Sequence, residues 1–268
     1  MIDPGAEWRT FTQDGGGQDR SRVGAPVSSL LHDRGLTTDI DWQNKDFSGS
    51  AISHKYRSQM HRMRKWQKRA RTKGSKERNL SEALTRIQYI CSKMNLPKSV
   101  AERSADIYRK ALDEDLIRGR SIEVTAGASV FIANQQMLTA RTVEDVAIIL
   151  KLNPKEIGRT YRFLKRRLMI RTPPPSPLTY VSRFCSELDL NSDTENKVRE
   201  IIKMAEEKEL TYGKSPTGIT AAALYIAGYQ MNQIRTQREI SDVTNVTEVT
   251  IRNRYKGLLD SLDFELEI

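Results

Sequence analysis

Cysteine is nearly absent from this chain: among 268 residues there are two, Cys91 and Cys185. So few thiols argue against a disulfide framework or a thiolate metal site, and packing explains them better. Histidine is scarce too. His32, His54 and His61 have no nucleophile or metal-ligand spacing beside them, and Gly15-Gly16-Gly17 lacks the strand-to-helix setting of a phosphate loop, so no enzyme is expected. Hydrophobic residues make up 38% of the chain, and no apolar run approaches the ~18 residues a bilayer span needs. The opening Met1-Ile2-Asp3-Pro4-Gly5 is neither basic nor followed by an apolar stretch, which gives no secretory signal. These absences predict a soluble, intracellular chain of about two domains. Acid is missing in one place above all. Residues 50–79 carry eleven Lys or Arg against the single acid Glu77, which accounts for the whole net charge of +10. A block of that kind calls for a polyanion or an acidic protein surface as its partner.

What is present is a duplication. Residues 91–168 align with 185–262 without a gap, at a constant shift of 94, and 19 of the 78 pairs are identical. The identities include Cys91/Cys185, Leu96/Leu190, Leu116/Leu210, Gly119/Gly213, Ile132/Ile226, Arg141/Arg235, Thr142/Thr236, Ile157/Ile251 and Tyr161/Tyr255. A copy of roughly 90 residues can bury its own core, so the period marks two domains and not a solenoid.

Each copy reads as five helices. In the first copy, one helix ends near Asn95, Pro97 opens the next, and Ser121, Thr142 and Asn153-Pro154 cap the third, fourth and fifth. Ser176-Pro177, Ser215-Pro216, Thr236 and Thr247 serve as the caps of the second copy, and Thr236 with Glu239 has capping-box spacing. The third helix of each copy is rich in small residues (Ala126, Gly127, Ala128, Ser129, Ala133; Ala221, Ala222, Ala223, Ala227, Gly228), which suits a central helix that its neighbours approach closely. Arg171-Thr172-Pro173-Pro174-Pro175-Ser176-Pro177 is a short, stiff spacer. Residues 1–49 show little helical period and are expected to order on a partner. Residues 51–73 place Ile52, Tyr56, Met60, Met63, Gln67 and Ala70 at helical spacing among cations. A solvated basic helix and a docked one both fit that stripe.

The last two helices of each copy have helix-turn-helix spacing, with Asn245-Val246 as the second copy's turn. The final helix is expected to bury Ile251, Tyr255 and Leu258, matching Ile157, Tyr161 and Leu164. Val249, Arg252, Asn253 and Lys256 then fall on the outer face. A valine beside an arginine suits a major groove, where one can touch a thymine methyl and the other can bind guanine bidentately; an ordinary surface would carry the same residues without that role. The first copy has Lys155 and Gly158 at the positions of Val249 and Arg252, so base readout is expected from the second copy and phosphate or protein contact from the first.

Together, the duplicated five-helix copies, the Arg-Thr helix starts at 141 and 235, and the runs Lys155-Glu156-Ile157-Gly158-Arg159 and Val249-Thr250-Ile251-Arg252 resemble archaeal transcription factor B and its eukaryotic counterpart, transcription factor IIB. Outside the repeats, Arg20-Ser21-Arg22-Val23-Gly24-Ala25-Pro26 and the run from Gly35 to Trp42 resemble that family's reader, and the basic helix from Ile52 to about Lys73 its linker. The implied fold is all-α. It comprises two tandem five-helix cyclin-like repeats preceded by an extended segment (1–49) and a basic linker helix (50–79), with repeats at 80–172 and 178–268 and a Pro-rich spacer at 173–177.

The resemblance implies a general initiation factor, monomeric, with promoter DNA, TATA-binding protein and RNA polymerase as partners and no membrane. It would be found in the cytoplasm of an archaeal cell, nucleoid-associated, or in a eukaryotic nucleus. Val249, Arg252, Asn253 and Lys256, with Thr247 and Arg235, become the DNA-binding set; Arg118 and Arg120 the contacts to TATA-binding protein; Arg20 and Arg22 the polymerase-cleft contacts; and Arg62, Arg64, Lys65, Lys68 and Arg69 the clamp or DNA contacts of the linker. Family members begin with a zinc ribbon, but here no cysteine precedes Cys91. No cofactor is therefore expected, zinc belonging only to that ribbon, and polymerase recruitment should be weakened with promoter binding preserved. Two other classes share parts of the pattern. A cyclin-type regulatory subunit of a kinase would have the same fold without the reader-like run, and a membrane-surface protein could use the basic helix.

Overall fold

The structure is a computed structural model that describes residues 27–36, 40, 42, 44, 50–71 and 74–262. Among the described residues there are eleven helices and no β-strand: α1 His54–Arg71, α2 Ser75–Lys93, α3 Lys98–Asp113, α4 Ile122–Gln136, α5 Val143–Leu150, α6 Pro154–Arg167, α7 Leu178–Glu187, α8 Ser192–Glu207, α9 Pro216–Gln230, α10 Gln237–Thr244 and α11 Glu248–Leu262. The fold is all-α, with five helices in each copy. The ends of α3, α4 and α5 fall, at the shift of 94, on the ends of α8, α9 and α10.

Backbone conformation repeats with the same period. Left-handed residues Asn95, Asp115, Leu138 and Lys151 recur as Asp189, Glu209, Asn232 and Asn245, and Gly119 (φ 78°) recurs as Gly213 (φ 70°). The non-glycine residues follow helix ends, where a left-handed turn lets the next N–H reach back to an unpaired carbonyl. After α8, for example, the Leu210 N–H donates to the Ala205 carbonyl at 2.9 Å.

Side-chain caps explain five helix starts. The Ser121 hydroxyl accepts the Val124 N–H (3.1 Å), the Asn153 carboxamide accepts that of Lys155 (3.0 Å), and Thr247 accepts that of Thr250 (3.4 Å). Thr236 and Glu239 form the expected reciprocal box, and Thr142 with Asp145 forms its counterpart in the first copy. Two starts differ from expectation. Pro177, not Ser176, is the residue flanking α7, with the Ser176 hydroxyl accepting the Leu178 N–H; and the Ser215 side chain makes no cap bond, the start of α9 resting on Pro216, whose fixed φ suits the first helical position.

Contacts divide the chain into two compact units, Met1–Ala133 with Ile149–Ile170, and Asn134–Ile148 with Arg171–Ile268. In the second unit α9 is central, packing against α7, α8, α10 and α11. Ala221, Ala222, Ala223 and Ala227 are fully buried on it, so small side chains on every face let four helices come close. In the first unit α4 has the same character. Ala126, Ala128, Val130, Ile132 and Ala133 are buried, and the buried Thr125 and Ser129 hydroxyls donate back to the carbonyls of Ser121 and Thr125 at 2.9 Å. Both cysteines are buried, and burial pushes their thiols up to about 11, as befits packing groups and not reactive ones.

Within the second unit, an ion pair ties α5 to α7. The Arg183 guanidinium donates to both Asp145 oxygens (2.5 and 3.0 Å), to Glu187 (2.8 Å) and to the Ala140 carbonyl (2.7 Å). In the first unit, the Arg109 guanidinium of α3 binds the carbonyls of Ser29, Leu31 and His32, and the Ser28 hydroxyl donates to Glu102 at 3.0 Å. Residues 27–36 are thereby held on the first unit.

Candidate nucleic-acid interface

Helix α11 is built to show one face. Ile251, Tyr255 and Leu258 recur at spacings of four and three and are buried against the core of the second unit, with the Tyr255 ring 4.7 Å from that of Tyr225 on α9. That fixes the rotation of the helix and leaves Val249, Arg252, Asn253 and Lys256 exposed on the opposite face, spaced as successive turns require. Val249 is 67% exposed, although a branched apolar side chain gains nothing from water. The Arg252 guanidinium donates to the Gln237 side-chain oxygen at 3.3 Å. Two further candidates are already engaged within the unit. Arg235 donates to the Leu188 and Asp189 carbonyls at 3.0 and 3.4 Å, closing the end of α7, and the Thr247 hydroxyl bonds to Thr250 at 2.8 Å.

The equivalent helix of the first copy, α6, departs from the expected match at one position. Ile157 and Leu164 are fully buried, but Tyr161 is only half-buried, its ring edge-on to Phe131 at 5.0 Å. The Lys165 ammonium lies 5.8 Å from the Tyr161 ring and donates to its hydroxyl at 3.4 Å, so the ring sits among the cations of this face.

A depression of about 690 Å³ on this unit is lined by Arg120, Arg159, Tyr161, Arg162, Phe163, Lys165 and Arg166. Five of the seven are cations and none is an acid. Sequence reading missed Arg159, Arg162 and Arg166 as a group, although their spacing of three and four places them on one helical face. Arg162 and Arg166 lie along their own helix, each donating to the carbonyl four residues earlier.

Arg118 and Arg120 flank Gly119, whose positive φ makes the tight turn before α4. Arg118 is exposed, whereas the Arg120 guanidinium stacks on the Phe163 ring at 3.8 Å, which joins this loop to the α6 depression.

The linker candidates lie on α1. Arg62, Lys65, Lys68 and Arg69 are exposed, with Arg69 5.5 Å from the Trp66 ring. Arg64 is half-buried and donates to the Asn44 side chain at 2.8 Å, and the Ile40 N–H donates to Gln67 at 3.0 Å. The apolar stripe on this helix is largely uncovered: Tyr56, Met63 and Trp66 are exposed, while Met60 and Gln67 are half-buried. Arg20 and Arg22 lie outside the described residues, as does most of 1–49. Among the described residues, no group of three or more His, Cys, Asp or Glu side chains could hold a metal ion, and no helix is long and apolar enough to cross a membrane.

Comparison with known proteins matches both copies to one family. Its model, described as transcription factor TFIIB repeat, covers residues 76–167 and 170–261. The chain is 49% identical over 266 residues to a transcription initiation factor IIB of Methanosarcina mazei, covering 99% of this chain and 79% of that one. With the factor of the same name from Archaeoglobus fulgidus it shares 50% identity over 265 residues, 99% and 81% of the two chains. A solved viral cyclin from herpesvirus saimiri aligns with 69% of this chain and 84% of its own at TM-score 0.31 and 18% identity, too distant to add to the fold described above.

Proposed function

The chain belongs to the transcription factor TFIIB repeat family, and from that premise we propose that it binds promoter DNA bent by TATA-binding protein, reads bases just upstream of the TATA box, and bridges to RNA polymerase for start-site selection and DNA opening. Its relatives are named transcription initiation factors, and a general role in initiation follows from that membership.

The observation that carries the reading is the outer face of α11. An exposed Val249 one turn from Arg252, on a helix whose rotation is locked by Ile251, Tyr255 and Leu258, is a rigid surface able to meet a thymine methyl and a guanine edge together. Asn253 and Lys256 extend it toward the flanking backbone. The first copy has no such fork. Its cationic α6 depression suits phosphates, which attract Arg and Lys whatever the sequence, and Arg118 with Arg120 supplies a basic loop for the acidic surface of TATA-binding protein. The exposed α1 cations Arg62, Lys65, Lys68 and Arg69, together with Arg64, are assigned to the polymerase clamp or to separated DNA, and Arg20 and Arg22 to the polymerase cleft.

A gel shift on a TATA duplex, with and without TATA-binding protein and with the upstream base pairs varied, tests the reading. A supershift that requires both TATA-binding protein and particular upstream bases is expected. Equal binding to any duplex, with or without that protein, would reduce the chain to a general polyanion binder.

A further inference from the structure

Resting on the reading of α11 as the base-contacting helix, we propose that Gln237 is the positioning residue for Arg252: its side-chain oxygen holds the guanidinium in the orientation that reads a base. The Arg252 Nη2 donates to the Gln237 Oε1 at 3.3 Å, a bond from the first residue of α10 to the outer face of α11. The backbone of Gln237 is itself fixed. Thr236, immediately before it, accepts the Glu239 N–H through its hydroxyl (3.2 Å) and donates its own N–H to the Glu239 carboxylate (2.8 Å). That box commits the nearby carboxylate to the cap, and a neutral carbonyl oxygen is left to orient the arginine.

A guanidinium beside the start of a helix meets the positive end of its dipole, so without an acceptor at that point Arg252 would swing away. A single bond to Gln237 leaves the remaining guanidinium N–H groups available for the two acceptors of a guanine edge. An arginine held in this way loses less conformational freedom when it binds than one free in solvent, and the gain falls only on the duplex whose base it can reach.

The two copies supply an independent comparison. At the shift of 94, Gln237 aligns with Val143 and Arg252 with Gly158, so the first copy lacks the acceptor and the arginine together. Helix α10 and its capping box have a full counterpart there in α5 with Thr142 and Asp145, so neither the fold nor the cap requires glutamine at this position.

The test uses the full chain with TATA-binding protein and two duplexes. One carries the upstream base pairs that the wild-type protein selects from a pool randomised next to the TATA box; the other carries the same bases scrambled. The measured quantity is the ratio of the two affinities. Arg252→Ala abolishes the ratio if α11 reads bases. Gln237→Leu and Gln237→Ala remove the acceptor and are expected to lower the ratio about three- to tenfold, with the thermal midpoint unchanged. Gln237→Glu keeps an acceptor and is expected to retain the ratio, while its negative charge weakens both duplexes alike. The double variant with Arg252→Ala should lose no more of the ratio than Arg252→Ala alone. If Arg252→Ala abolishes the ratio and the acceptor-free variants keep it, or if Gln237→Glu loses as much as Gln237→Leu, the positioning role is overturned and the reading of α11 stands. A ratio that survives Arg252→Ala overturns both.

Discussion

Asp145 does two jobs with one carboxylate. One oxygen accepts the Thr142 N–H at 2.8 Å, closing the cap of α5, and both oxygens take the Arg183 guanidinium. Burial alone would raise this carboxyl, but the hydrogen bonds from Arg183 and Thr142 outweigh it and hold the group below the ordinary carboxylate range. Asp145→Asn should therefore cost about 1.5–3 kcal/mol, because it strips the half-buried Arg183 of a paired carboxylate and leaves it with Glu187 alone. Chemical denaturation at neutral pH measures that loss. The sign of the pH effect follows from the depressed value. The contribution is fully present above the unfolded carboxylate pKa of about 3.9 and fades as pH falls through the lower folded value. Wild-type thermal midpoints should thus fall more steeply below about pH 4 than those of Asp145→Asn. Parallel acid limbs would mean that other carboxylates carry the dependence. The cap was legible in the sequence from Thr142 and its spacing, whereas the partnership with Arg183, 38 residues away, has no local signature.

At the scale of the element, the period of 94 constrains backbone as well as side chains. Glu209, with φ 57°, holds the left-handed position after α8, where its Cβ crowds its own carbonyl. Glu209→Gly removes that strain and should raise stability by about 0.5–1 kcal/mol, the greater freedom of glycine in the unfolded chain offsetting part of the gain. A thermal midpoint that falls would show that the Glu209 side chain contributes more than its backbone costs. Gly228 near the end of α9 behaves in the opposite way. A Cβ there would sit 2.9 Å from the Gln233 carbonyl oxygen, so Gly228→Ala should cost about 1–3 kcal/mol, measured in the same way. The helices themselves were readable from caps and periodicity, because the interactions that start and stop them lie within four residues. Crowding at Gly228 was not readable, since it depends on how the chain returns after α9. The α6 depression lies between these cases. Its spacing was in the sequence, but the stacking of Arg120 on Phe163 that joins the basic loop to it spans 43 positions and needed the folded unit.

At the scale of the whole molecule, different residues occupy matching positions on the outer faces of α6 and α11, and the proposed division of duties between the two copies rests on that difference. Arg159, Arg162 and Arg166 fall opposite Asn253, Lys256 and Asp260, so the cation-only surface belongs to the first copy and the Val249–Arg252 pair to the second. These two kinds of surface respond differently to salt. Phosphate contacts release counterions, so each one removed should flatten the slope of log affinity against log salt by about 0.9 for duplex DNA, without regard to sequence. Replacing Arg159, Arg162 and Arg166 together by alanine should then reduce the slope by up to about 2.7, with the ratio between selected and scrambled upstream bases intact. Arg252→Ala should cost about 1–3 kcal/mol on the selected duplex, much less on the scrambled one, and change the slope by no more than about 1. Fluorescence anisotropy across a salt series in the presence of TATA-binding protein resolves the two effects. A triple variant that loses discrimination along with slope would show that α6 takes part in readout. One that leaves the slope unchanged would show that the depression meets protein and not phosphate, because a protein surface carries no condensed counterion atmosphere to release.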